Sequence, residues 1–171
     1  MRIDLHQHLW PDSLVEAMRR RTEPPCLDGD LVRVQHEKPF ALDLASQRVE
    51  ARIAALDEVS IDRAVVSLST PVGIEALPAD QATPLLDAYH EGVADAVGRA
   101  GGRLAAFAAV PLDAPDAGAE AVAGLIRDGF AGVGSGQRRG WQVGQWVVPR
   151  ASMTERRRMS PQRAQGSPAR P

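Results

Sequence analysis

Cysteine is almost missing from this 171-residue chain. Cys26 stands alone, which excludes a disulfide framework and a cysteine-built zinc knuckle. No apolar run approaches the roughly 18 residues of a membrane span, and the first residues lack the apolar stretch of a signal segment. A cytoplasmic protein with no membrane partner is therefore expected. The nucleotide-binding loops are missing too: no G-x-G-x-x-G follows the first strand, and G-x-x-x-x-G-K-[ST] occurs nowhere. Histidine is confined to His6, His8, His36 and His90, and aspartate stops at Asp128. Length sets a further bound. At 44% apolar and 25% charged residues the composition is globular, with enough chain for one domain and a real core.

The stretch that organises the chain is its start, Met1-Arg2-Ile3-Asp4-Leu5-His6-Gln7-His8-Leu9-Trp10-Pro11. Ile3 and Leu5 alternate with Asp4, His6 and His8, the period of a strand. Alternation predicts that Asp4, His6 and His8 share one face. A carboxylate and two imidazoles there are costly unless paired or ligated. Two histidines at i and i+2 can aim both rings at one divalent cation, and neutral imidazole is a common zinc ligand. The plainer reading is two satisfied histidines at a strand end. Pro11 cannot continue a ladder and closes the element.

Strand and helix then alternate. Asp12 or Ser13 can cap a helix with an apolar face of Leu14, Val15 and Met18, and Arg19-Arg20-Arg21 suits its C-terminal end. Leu27 to Val34, with Asp28-Gly29-Asp30 in the middle, reads as a small hairpin. His36 falls just past it and reads as an exposed loop residue. Residues 44–58 are helical in pattern, with Val49, Ile53 and Leu56 on one side. The run Ala64 to Ser69 is apolar and β-branched, as a parallel strand buried on both faces would be. A longer helix spans about Ala79 to Arg99, with Leu86, Tyr89, Val93 and Val97 as its stripe and Gly101-Gly102 as its stop. His90 reads as a surface or half-buried residue of that helix, not a ligand. Residues 103–112 form the third strand. A helix follows, capped by Asp113 or Asp116, with Pro115 in its first turn and Ala117, Ala121, Val122, Leu125 and Ile126 inward. Residues 129–134 form the fourth strand. Such alternation means a parallel sheet, open and doubly wound or part of a barrel.

Asp4-Leu5-His6-Gln7-His8 followed by Leu9-Trp10-Pro11 resembles the opening of the amidohydrolase superfamily, in particular its amidohydrolase-related, aminocarboxymuconate-semialdehyde-decarboxylase-like branch. The resemblance runs from Met1 to about Gly134 and favours the barrel. It implies an α/β fold: a partial (β/α)8 TIM barrel of about four β/α units, since a complete one needs about 250 residues. It implies a metal-dependent hydrolase or decarboxylase acting on a small molecule through a water activated by a divalent metal, zinc first. His6 and His8 match the metal ligands of the family's first strand. Asp4 is expected behind them, orienting a ligand. In the family, further ligands are a histidine on strand five, a histidine on strand six and an aspartate on strand eight that doubles as general base. None has a counterpart here, so no catalytic residue is assigned and the chain is expected to be inactive alone. The hairpin fits the family loop that covers the substrate.

Residues 1–136 are thus expected to form the N-terminal half of such a barrel. From Gln137 to Pro171 the character changes. Eight arginines face a single acid, Glu155, for a net charge of +7, which leaves −9 for the body. The stretch lacks Lys, Asp, His, Leu, Ile and Phe, and no periodicity supports a core. It reads as a disordered, basic, low-complexity tail, and its composition fits a frameshifted product of a GC-rich gene. Two alternatives follow. One is non-enzymatic binding of nucleic acid or a partner through the tail, with Trp141 and Trp146 for stacking, although no recognisable module supports it. The other is a PHP-type phosphoesterase, which also opens with H-x-H but needs further histidines and acids. A half-barrel would leave sheet edges open, and an inner face exposing Ala105 and Phe107 would add apolar patches, so self-association is expected.

Overall fold

A computed structural model of the chain describes residues 1–35, 38–69, 72–111 and 122–134. His36, the caps of the fourth helix (Asp113, Pro115 and Asp116) and the basic stretch from Gln137 lie outside them.

The chain opens with β1 (Ile3–His8) and turns through a buried Leu9-Trp10 pair into α1 (Asp12–Arg19). Neither Asp12 nor Ser13 caps α1, contrary to the sequence expectation. Pro11 takes the cap position in an extended conformation, and its carbonyl accepts the Val15 N–H at 3.0 Å. Asp12 falls in the first turn, where its charge suits the helix dipole. Ser13 turns its hydroxyl to the Ala88 carbonyl at 2.5 Å. Leu14, Val15, Ala17 and Met18 are buried, the face the spacing predicts.

The expected hairpin is present as β2 (Cys26–Asp28) and β3 (Leu31–Arg33), paired antiparallel across the Asp28–Leu31 turn. A two-residue third strand, β4 (Phe40–Ala41), completes a small meander. The expected helix over 44–58 is divided. A 3-10 turn, Ala45–Gln47, is held by the Asp43 carboxylate, which accepts the N–H groups of Ala45 and Ser46 at 3.0 and 3.3 Å. Arg48 is then extended, and α2 (Val49–Glu58) begins after it.

The remaining elements are β5 (Arg63–Ser67), α3 (Ala79–Arg99), β6 (Leu104–Ala109) and β7 (Gly132–Gly134), with residues 122–127 helical before β7. Four strands make one sheet in the order β1-β5-β6-β7, every pair parallel, as the sequence pattern predicts. The helix α3 ends where Gly101 and Gly102 take positive φ (55° and 82°), a conformation that glycine adopts without steric cost. It packs on β6, where the Tyr89 hydroxyl donates to the Phe107 carbonyl at 3.1 Å, and on α1 at Gly92. A Cβ at Gly92 would collide with Ser13 Oγ and the Pro11 ring.

The main core lies between sheet and helices and includes Leu14, Met18, Leu56, Ala64, Val66, Leu86, Tyr89, Val93 and Leu104. On the other side of the sheet Val65, Ala105 and Phe107 form a separate cluster with Ala131 against it. This corrects the expectation of an apolar inner face open at Ala105 and Phe107. Both are buried, in a cluster with Val65 against which Ala131 packs. Exposed apolar side chains sit instead on β1, at Ile3 and Leu5.

At the N-terminal ends of the strands Arg103 works as a fastener. Its Nε donates to the Asp62 carbonyl at 2.8 Å, and one terminal nitrogen reaches the Ile61 carbonyl at 3.0 Å and the Asp57 carboxylate at 2.6 Å. Asp62 in turn accepts the Arg2 N–H and donates its own N–H to the Arg2 carbonyl. Among the described residues no helix is long and apolar enough to cross a membrane.

Candidate metal-binding site

The two histidines of the first strand come together at its C-terminal end. Their ring centroids are 4.9 Å apart, with planes at 76°. His6 is exposed and His8 half-buried. His8 Nδ1 lies 3.3 Å from both the Ser67 carbonyl and Ser67 Oγ, on the neighbouring strand. Its own carbonyl accepts from Arg52 at 3.2 Å, and Gln47 Oε1 accepts the Trp10 N–H at 3.2 Å. The exit from β1 is thus pinned from α2 and from β5. Burial, with smaller contributions from the charges of His6 and Arg52, holds the His8 imidazole below its usual value and so in the neutral form that can ligate.

Asp4 is placed differently from what alternation predicts. In the β1–β5 register Asp4 is opposite Ala64, Gln7 opposite Val66 and His8 opposite Ser67. Three steps along β1 match two along β5, so β1 carries a bulge and its faces switch between Asp4 and Gln7. Asp4 therefore shares a face with Gln7, not with His8. Its carboxylate accepts the His6 N–H at 3.0 Å and the Gln7 side-chain amide at 2.9 Å. The first of these bonds, then the second, lowers its pKa. Asp4 holds the backbone of His6 across the bulge, and the His6 charge adds a smaller lowering of the Asp4 pKa.

His90 is half-buried, as its helical setting predicts. Its Nε2 accepts the Ala109 N–H at 3.1 Å, and its ring meets Phe130 edge-on at 5.4 Å. That nitrogen is spent, so it is not a free ligand. Sequence reasoning missed Glu75, in the 3-10 turn Ile74–Ala76 after β5. Glu75 is only 4% exposed, and burial raises its carboxyl to about 7. The available signal was one acid set among Val72, Ile74, Ala76 and Leu77. Among the described residues, Gln7 Oε1 and Arg52 Nε are buried without a partner.

The pair fits a cation in part. A zinc–nitrogen bond of about 2.0–2.1 Å, added to the depth of each ring, sets two imidazoles on one ion at centroids about 5 Å apart. The observed 4.9 Å agrees. Among the described residues, however, no group of three or more His, Cys, Asp or Glu is arranged to hold a metal.

Known structures place this arrangement in context. The apo form of IDCase from Metarhizium anisopliae is similar over 78% of this chain and 41% of its own, at 20% identity and a TM-score of 0.60. A protein described as an amidohydrolase II is similar over 79% of this chain and 40% of its own, at 19% identity and a TM-score of 0.56. The fold is that of a partial (β/α)8 barrel, shared with part of each of these structures. This chain spans about 40% of the length of the structures it matches. No family model matches it, and no curated protein does.

Proposed function

We propose that the chain is a metal-binding part of a hydrolase- or decarboxylase-type barrel, with His6 and His8 taking one divalent cation, zinc first. The observation that carries this reading is the approach of the two rings to 4.9 Å at the C-terminal end of β1, in a fold shared with IDCase and amidohydrolase II. Ligands and reacting groups of barrels of this kind gather at that end.

Bound there, a zinc ion would supply Lewis acidity and a water deprotonated near neutral pH. The chain's own residues do the rest. His8 is kept neutral by burial and held by its neighbours on β5 and α2. His6 is exposed, and its backbone is fixed by Asp4. A catalytic zinc site normally has three protein ligands, and the described residues bring two together. The reading is therefore weak metal uptake without turnover by this chain. A small-molecule substrate belongs to a site with the further ligands.

Calorimetric titration with Zn²⁺ tests it, alongside turnover of amide, lactone and unsaturated-carboxylate substrates. The expected result is weak uptake that the His6→Ala/His8→Ala double variant abolishes, with turnover at background. Equal uptake by the double variant would refute the assignment. Turnover lost in that variant would show that the chain finds its missing ligands elsewhere.

A further inference from the structure

The surroundings of His8 fix more than its position. A carbonyl oxygen can only accept, so the ring nitrogen facing the Ser67 carbonyl at 3.3 Å has to carry the proton. The Ser67 hydroxyl fits the same answer. Oγ lies 3.3 Å from the Gln7 carbonyl, another pure acceptor, so its single proton is spent there. Toward His8 Nδ1, also at 3.3 Å, Oγ is left as an acceptor. Ser67 is only 6% exposed, so bulk water offers its hydroxyl little alternative. A neutral imidazole has one N–H, and both Ser67 acceptors claim it at Nδ1, with the Leu68 backbone a weaker further partner of the ring.

We propose that Ser67 is a positioning residue for His8: its carbonyl and Oγ together hold the Nδ1–H, which selects one tautomer and leaves Nε2 as the nitrogen offered to a cation. This rests on the reading of His8 as a ligand. A metal-ligating histidine commonly has its other ring nitrogen fixed by an acceptor, which sets both tautomer and ring orientation. Here both acceptors come from one residue, 59 positions away on the adjacent parallel strand. The register that places His8 opposite Ser67 is what creates the contact. Arg52 holds the His8 carbonyl from the α2 side, so main chain and ring are fixed from different elements. His90 provides a contrast. There a backbone N–H donates to Nε2, which again puts the proton on Nδ1 but leaves no free nitrogen.

The test is long-range proton–nitrogen correlation of the imidazoles in the metal-free full chain, at a pH where His8 is neutral, followed by Zn²⁺ titration of the same samples. The expected spectrum shows His8 as the Nδ1–H tautomer, with an unprotonated Nε2 that shifts when Zn²⁺ is added. Ser67→Ala should mix in the other tautomer and weaken zinc binding about tenfold, within the range known for such outer partners. Ser67→Thr, which keeps an Oγ on a strand position, should restore both. His90 serves as an internal reference whose tautomer none of these variants moves. His8 as the Nε2–H tautomer in the parent chain would overturn the proposal, as would Ser67→Ala with both tautomer and affinity unchanged. The Nδ1–H tautomer without any zinc response would leave the Ser67 assignment standing and overturn the metal reading instead.

Discussion

Replacing Glu75 by glutamine should stabilise the protein at alkaline pH and not at acidic pH. The carboxyl is 4% exposed, and burial raises it from its ordinary 4.5 to about 7. Between those values the folded state keeps a proton that the unfolded state has released, so stability falls as pH rises. The fall is about 1.4 kcal/mol per pH unit and levels off above about 7, for a total of about 3 kcal/mol. Domains of this size are stable by only about 5–15 kcal/mol, so the effect is a large share of the whole. The imidazoles oppose it. His8 and His90 are both held below their usual values, chiefly by burial, so their contribution is present above the unfolded imidazole value and lost as pH falls through the folded ones. The two effects act over overlapping pH ranges and partly offset one another in the wild-type profile. Comparison with Glu75→Gln removes the histidine slopes, because both proteins carry them. Urea unfolding of the two proteins at several pH values between about 4 and 8 gives the difference directly. It should be constant below about 4.5, swing toward the variant by about 3 kcal/mol, and become constant again. A constant difference across the range would mean that the Glu75 carboxyl is not held neutral, and the reasoning would fail. Tyr89 offers a second readout. Burial first, and the Glu75 charge second, raise its phenol above the usual range, so the variant should titrate lower.

Gly92→Ala should lower the melting temperature by an amount equivalent to about 1–3 kcal/mol, since its methyl would meet Pro11 and Ser13 across the α1–α3 contact. Gly98→Ala serves as control, because a Cβ there meets nothing within 4 Å. His90→Phe should cost about 1–3 kcal/mol in urea unfolding at neutral pH, because it leaves the Ala109 N–H without its acceptor. It should also remove the His90 share of the loss of stability as pH falls below the unfolded imidazole value.

Legibility in the sequence followed the range of the forces involved. The bounds of α3 come from its own apolar stripe and the glycine pair after it, and they match the expected Ala79–Arg99. The buried run Ala64–Ser67 and the parallel strand order were legible for the same reason, since composition and alternation are local. The bulge in β1 is not local. It exists only against the register of β5, and period-two reading could not see that Asp4 turns away from His8. The strand β4 has only two residues and is defined by its pairing with Leu31 and Val32. At the site, the closeness of His6 and His8 follows from their spacing. The parts played by Ser67, Arg52 and Gln47 do not, because each reaches β1 from another element.

Arg103 and Asp62 lie at the opposite ends of the strands from His8. One end of the sheet is therefore locked by charge and main-chain bonds that involve neither His6 nor His8, while the other end is held by separate bonds from Ser67 and Arg52. The frame can therefore be tightened at Asp57 or Ile61 without touching His6 or His8. A lineage with this division can change what its strand ends do and inherit the scaffold unaltered.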